Sequence, residues 1–125
     1  MSTLKVDNLQ TTAGIGMYTL RAYINYNPTT TVPTIRANGG FTSSITDNAI
    51  GDQTLTFSTA IGDINYTWSG SAGYDGTNQH AWVGGPNSTI LTNWKTSTFL
   101  RINTIYANTG KSTVDPVDVS VILMR

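Results

Sequence analysis

The sequence contains no cysteine and no glutamate, one histidine, and only fourteen charged residues in 125, seven of each sign. Without cysteine there is neither a disulfide framework nor a thiolate metal site. A lone His80, with aspartate as the only acid, is short of ligands for a metal centre and reads as a loop or rim residue. Zero net charge offers phosphate no basic surface, which argues against nucleic acid as a partner. No apolar run approaches the ~20 residues that cross a bilayer, so no membrane partner is expected. The opening Met1-Ser2-Thr3-Leu4-Lys5-Val6-Asp7 lacks the charged-then-apolar order of a secretory signal, and synthesis in a reducing cytoplasm is expected. Catalytic patterns are also missing. One histidine among many hydroxyls defines no nucleophilic triad, and scattered aspartates define no carboxylate pair across a cleft. Gly14-Ile15-Gly16 lacks the third glycine of a dinucleotide fingerprint and reads as a hinge. No enzymatic activity, cofactor or metal is expected.

What is abundant is threonine, 22 residues, and asparagine, 11. Threonine suits a pleated, half-buried surface and asparagine suits turns, whereas the residues that fill exposed helix faces are scarce. A surface with so few charges also favours association.

The apolar period is two wherever it can be read. Tyr18, Leu20, Ala22, Ile24 and Tyr26 share a face, as do Leu55 and Phe57, and Ile64, Tyr66 and Trp68. Leu100, Ile102, Thr104 and Tyr106 form another such set, and Val119, Val121 and Leu123 a last one. Turn signals at Asn27-Pro28, Asn38-Gly39-Gly40, Asp47-Asn48, Gly51-Asp52, Gly62-Asp63, Asn108-Thr109-Gly110 and Asp115-Pro116 separate the runs. This pattern predicts an all-β fold, an antiparallel, jelly-roll-like β-sandwich over 17–125. Residues 1–16 read as an extended N-terminal arm and hinge. Asp47 and Asp52, around Asn48 and Gly51, miss the ligand order of a calcium loop and read as turn residues. Asn65-Tyr66-Thr67 matches a glycosylation acceptor, but Asn65 is expected mid-strand.

Two segments are candidate functional sites. Leu4, Val6 and Leu9 alternate on the arm, which cannot bury them alone, so they are candidates for docking on a partner. Residues 70–97 are Gly-rich and aromatic. Tyr74, His80, Trp82 and Trp94 there could pack a subunit interface, pack internally, or contact a glycan. Trp68, Tyr66 and Tyr106, by contrast, fall on alternating core positions.

Several segments resemble a recurrent module of phage virion proteins. They are Arg21-Ala22-Tyr23-Ile24-Asn25-Tyr26-Asn27, Thr34-Ile35-Arg36-Ala37-Asn38-Gly39, Ser44-Ile45-Thr46-Asp47-Asn48 with Gly51-Asp52, Leu100-Arg101-Ile102-Asn103-Thr104, and Asp115-Pro116 with Val119-Ser120-Val121. The module is that of tail-fibre-like C-terminal domains common in marine phages, including those infecting cyanobacteria. The opening Ser2–Asp7 resembles the start of many such proteins. The resemblance spans most of the chain except roughly 70–97. It implies an all-β, homotrimeric structural protein on the virion surface, synthesised in the host bacterial cytoplasm. Its expected partners are itself and other virion proteins, of capsid or tail. No long shaft is expected with the domain, since residues 2–13 reach at most ~40 Å when extended. That favours a capsid decoration or short fibre or spike protein over the tip of a long fibre. The rival readings are a tail-tip adhesin for bacterial surface glycans and a free carbohydrate-binding module.

Overall fold

The computed structural model describes residues 19–73, 81–86, 93–106 and 112–125. Eight strands occupy them: β1 (Leu20–Asn27), β2 (Thr34–Gly39), β3 (Phe41–Ala49), β4 (Asp52–Phe57), β5 (Thr67–Gly73), β6 (Ala81–Gly84), β7 (Phe99–Tyr106) and β8 (Asp118–Met124). They form one sheet in the order β2-β1-β8-β5-β6-β7-β4-β3, and every neighbouring pair is antiparallel. The two end strands, β2 and β3, are consecutive in the chain and meet at a single residue, Gly40. The sheet therefore curls over its own core until it is nearly a closed barrel. The all-β antiparallel fold expected from the period is what the chain adopts, and one continuous sheet supplies both walls around the core.

Period two decides what is buried. Ala22, Ile24 and Tyr26 of β1, Leu55 and Phe57 of β4, Leu100 and Ile102 of β7, and Val119, Val121 and Leu123 of β8 all point inward and are buried. Burial of side chains this size contributes about 1.5–3 kcal/mol each, which makes them the main source of stability. Phe57 links two further rings, Phe41 at 5.2 Å and Tyr66 edge-on at 5.6 Å.

The corner at Gly40 has φ +82°, and a β-carbon there would lie 2.5 Å from the carbonyl oxygen of Arg21. Only glycine fits. The Asn38 side chain fastens the bend: its amide donates to the carbonyls of Phe41 and Thr42, and its oxygen accepts from the Phe41 amide.

The strand reading needs three corrections. Leu20 is 57% exposed although it shares the alternation of Ala22, because the β1–β8 register slips between these two residues. Asp47-Asn48 is not a turn but lies within β3, where the Asn48 amide donates across to Thr54 Oγ1. The chain reverses instead at Ile50-Gly51, with Gly51 at φ +67°. Ile64 is 57% exposed and Asn65 precedes β5, because Gly62 (φ +76°) and Asp63 hold 62–65 in a turn capped by the Asn65 amide donating to Asp63. Tyr66 is buried as expected, whereas Trp68 and Tyr106 are half-buried. Tyr18 lies outside the described residues.

Candidate functional site

A column of polar groups crosses the interior between β1 and β4. Tyr26, fully buried, donates to Gln53 Oε1 at 3.4 Å, and Gln53, also fully buried, donates to Asp115 Oδ1 at 3.1 Å. The same carboxylate oxygen accepts the Gly51 amide at 2.7 Å. Burial, then the charges of Asp115 and Asp47, push the Tyr26 hydroxyl well above the ordinary phenol range; burial does the same to Tyr66. Thr104 Oγ1 donates to the Val114 carbonyl beside this column.

Other carboxylates are similarly committed. Asp52 takes both prongs of the Arg101 fork, at 2.8 and 2.6 Å, and this hydrogen-bonded pairing raises the arginine's affinity for its proton. Asp118 pairs with Arg36 and accepts from Asn25, and Asp63 pairs with Arg125. Lys95 donates to the Tyr66 carbonyl and lies 4.4 Å from the centre of its ring. Among the described residues, no three His, Cys, Asp or Glu side chains gather as metal ligands. Asp52, one half of the calcium-like spacing, is occupied by Arg101. These bonds fasten strands together.

The outer face of the sheet is different. Cross-strand register sets Asn25, Ser120, Ser71 and Trp82 in one row across β1, β8, β5 and β6, with Tyr23, Ile122 and Ser69 in the adjacent row. Trp82 is 65% exposed, and Tyr23 and Ile122 are each more than 40% exposed. Between them the small residues leave two shallow depressions, of about 380 and 160 Å³, that share Gly70 and Ser71. The result is an uncharged trough floored by serine and glycine, with Trp82 at one side and Ile122 at the other.

A second concavity, about 430 Å³, opens at one end of the barrel. Its lining includes Arg21, Ala22, Gly40, Ile61, Gly62 and Arg125. Arg125 is held by the Ile61 carbonyl and Asp63. Arg21 makes no hydrogen bond or ion pair with any described residue. Every other described arginine and lysine has such a partner.

The expected aromatic cluster is divided. Trp82 projects outward. Trp94 is half-buried on the opposite surface of the sheet, edge-on to Trp68 at 6.2 Å and packed so close to Gly85 that a β-carbon there would sit 3.2 Å from its ring. It serves internal packing. Tyr74 and His80, and the arm residues Leu4, Val6 and Leu9, lie outside the described residues. The sequence reading missed the barrel-end groove because its lining comes from four separated stretches; an arginine on a strand whose neighbours are all apolar or uncharged was the available signal. It also missed the Tyr26–Gln53–Asp115 column, although Gln53 falls on the same alternation as Leu55 and Phe57. No family model, curated protein or solved structure matches this chain.

Proposed function

We propose that the chain is a structural protein of a bacteriophage particle, a homotrimeric capsid decoration or short fibre protein on the virion surface that acts by contact with other proteins. The observation that carries this reading is how the side chains are distributed. Most of the described acids and bases are engaged in fastening strands, while Leu20, Tyr23, Ile64, Trp82 and Ile122 remain exposed on a surface with few free charges. Apolar side chains left exposed in this number suit packing against another macromolecule. Of the segments that resemble the phage module, Arg21–Asn27 lies within β1, flanked by β2 and by the Val119–Val121 part of β8. No catalytic step forms part of the proposal. Immunogold labelling of purified particles with an antibody to the chain tests it. Label on the outside of head, collar or tail is expected, and absence of the chain from purified particles refutes it.

One observation favours an adhesin as a second reading. An exposed indole beside serine hydroxyls, in a trough without charge, suits a neutral sugar ring, which stacks on the aromatic face and hydrogen-bonds through its hydroxyls. On that reading Trp82→Ala abolishes saturable binding to purified host surface polysaccharide. Unchanged binding by the variant removes the glycan role from Trp82.

A further inference from the structure

We propose that the barrel-end groove is the seat of residues 2–12 of a neighbouring copy of the chain, with Asp7 set against the Arg21 guanidinium. The inference rests on the assembly reading above and adds a specific docking site to it.

Four observations converge on the groove. Among the described residues Arg21, on its wall, is the cation without a partner, while the others are neutralised or hydrogen-bonded. Two large exposed apolar residues follow or precede lining residues in the chain: Leu20, next to Arg21, and Ile64, two residues after Gly62 and next to the Asp63 that holds Arg125, each at 57%. Apart from Arg21, Ile61 and Arg125, the lining consists of small residues, Ala22, Gly40 and Gly62 among them, which leave room for an extended backbone. Lastly, the chain enters the barrel at this spot, for Thr19 and Arg125 exchange backbone hydrogen bonds in both directions, at 2.9 and 3.0 Å.

The arm supplies what this groove lacks. Its residues 2–12 carry alternating Leu4 and Val6, then Leu9, as apolar partners for Ile61 and the exposed Leu20 and Ile64, and Asp7 is the only acid among them. Source matters as well as sequence. Asp7 lies twelve residues before Thr19, a span of up to ~40 Å when extended and about the diameter expected for a domain of this size, so the groove of an adjacent copy is within range. Each copy then gives one arm and receives one, a head-to-tail contact that closes into a ring.

Charge reversal in the full-length chain tests the seat. Arg21 is exposed, so Arg21→Asp should leave the far-ultraviolet circular dichroism unchanged. Light scattering across a dilution series reads the assembly. Arg21→Asp and Asp7→Arg should each raise the concentration of half-dissociation by roughly tenfold or more, because each sets like charges together. The double variant should recover to within a few-fold of the native chain. A mixture of the two single variants should regain part of the association that neither has alone, since in a mixed ring of three two of the three arms meet an oppositely charged groove. If the native chain assembles and Arg21→Asp assembles equally well, the seat is wrong and the assembly reading stands. If the native chain is monomeric at all concentrations and missing from particles, both fail. If the swap rescues only the melting temperature of a monomer, the arm seats in its own groove and the exchange between copies is refuted.

Discussion

Replacing Asp115 should expose how much of the fold hangs on one carboxylate. Its Oδ1 accepts from the Gly51 amide and from Gln53, whose oxygen in turn accepts from Tyr26. Gly51, Gln53 and Tyr26 are all buried, as are Val114 and Pro116 on either side of the aspartate. Asp115→Ala therefore strands two donors where water reaches poorly, and each unsatisfied group costs about 1–3 kcal/mol. A loss of roughly 2–6 kcal/mol follows, a large share of the 5–15 kcal/mol typical of a domain. Asp115→Asn retains an oxygen in the same place and should lose only ~1 kcal/mol. Adding Gln53→Leu to Asp115→Ala removes one stranded donor, so the double variant should be less destabilised than the sum of the singles. Urea unfolding with unchanged slope is the assay, since a midpoint shift then reports stability alone. Equal midpoints for Asp115→Ala and Asp115→Asn, both near the native value, would refute the stranding of these donors.

Alkaline titration is a separate test: the unfolded chain releases tyrosine protons near pH 10 while folded Tyr26 and Tyr66 hold theirs, so stability should fall above about pH 10 by up to ~1.4 kcal/mol per pH unit per tyrosine. Tyr26→Phe should flatten that fall, as measured by urea midpoints from pH 9 to 11. Gly51→Ala should be far more damaging than Gly62→Ala in thermal melting. Both glycines have positive φ, but the new methyl at 51 would lie 2.5 Å from the Thr104 carbonyl oxygen, whereas at 62 it would meet only the end of the Arg125 side chain. Arg101→Met, which leaves the partly buried Asp52 without its fork, should cost about 1.5–3 kcal/mol by urea unfolding. For the native chain, light scattering during size exclusion should give about three times 13.4 kDa, and a sharp monomer peak at micromolar concentration would count against the trimer.

Strand faces were the most legible part of the sequence, because alternation is a local property and burial follows it directly. Leu100-Ile102-Thr104 and Val119-Val121-Leu123 carry their burial in plain view. Boundaries were less legible where the chain departs from regular pairing. Leu20 continues an alternation that the register slip at the β1 terminus annuls, and Ile64 continues one that the positive φ of Gly62 interrupts. Asp47-Asn48 carries turn chemistry, yet its side chains are exposed on β3 and Asn48 bonds across the ladder instead of reversing the chain. The site was harder still. Trp82 and Trp94 are near in sequence and share a composition, and nothing local says that one faces solvent and the other packs on Trp68. The trough is visible only through register, since its serines come from β5 and β8 while its tryptophan comes from β6.

The position of β8 sets the order in which this molecule can come into being. It is the last described strand, yet it lies between β1 and β5, and Asn25 reaches the Ser120 hydroxyl across 95 residues of chain. During synthesis the hairpins β1–β2 and β3–β4 can form early from neighbouring sequence. The flank of β1 that awaits β8 stays open, with Ile24 and Tyr26 lacking their neighbours Val121 and Val119. Pairings this distant fold on the millisecond-to-second scale, and unpaired edges left waiting invite association with the wrong chain. Polar residues such as Arg36, Asn38, Thr42, Thr46, Asp47 and Asn48 along β2 and β3 suit those early hairpins to water while the central strand is still being made.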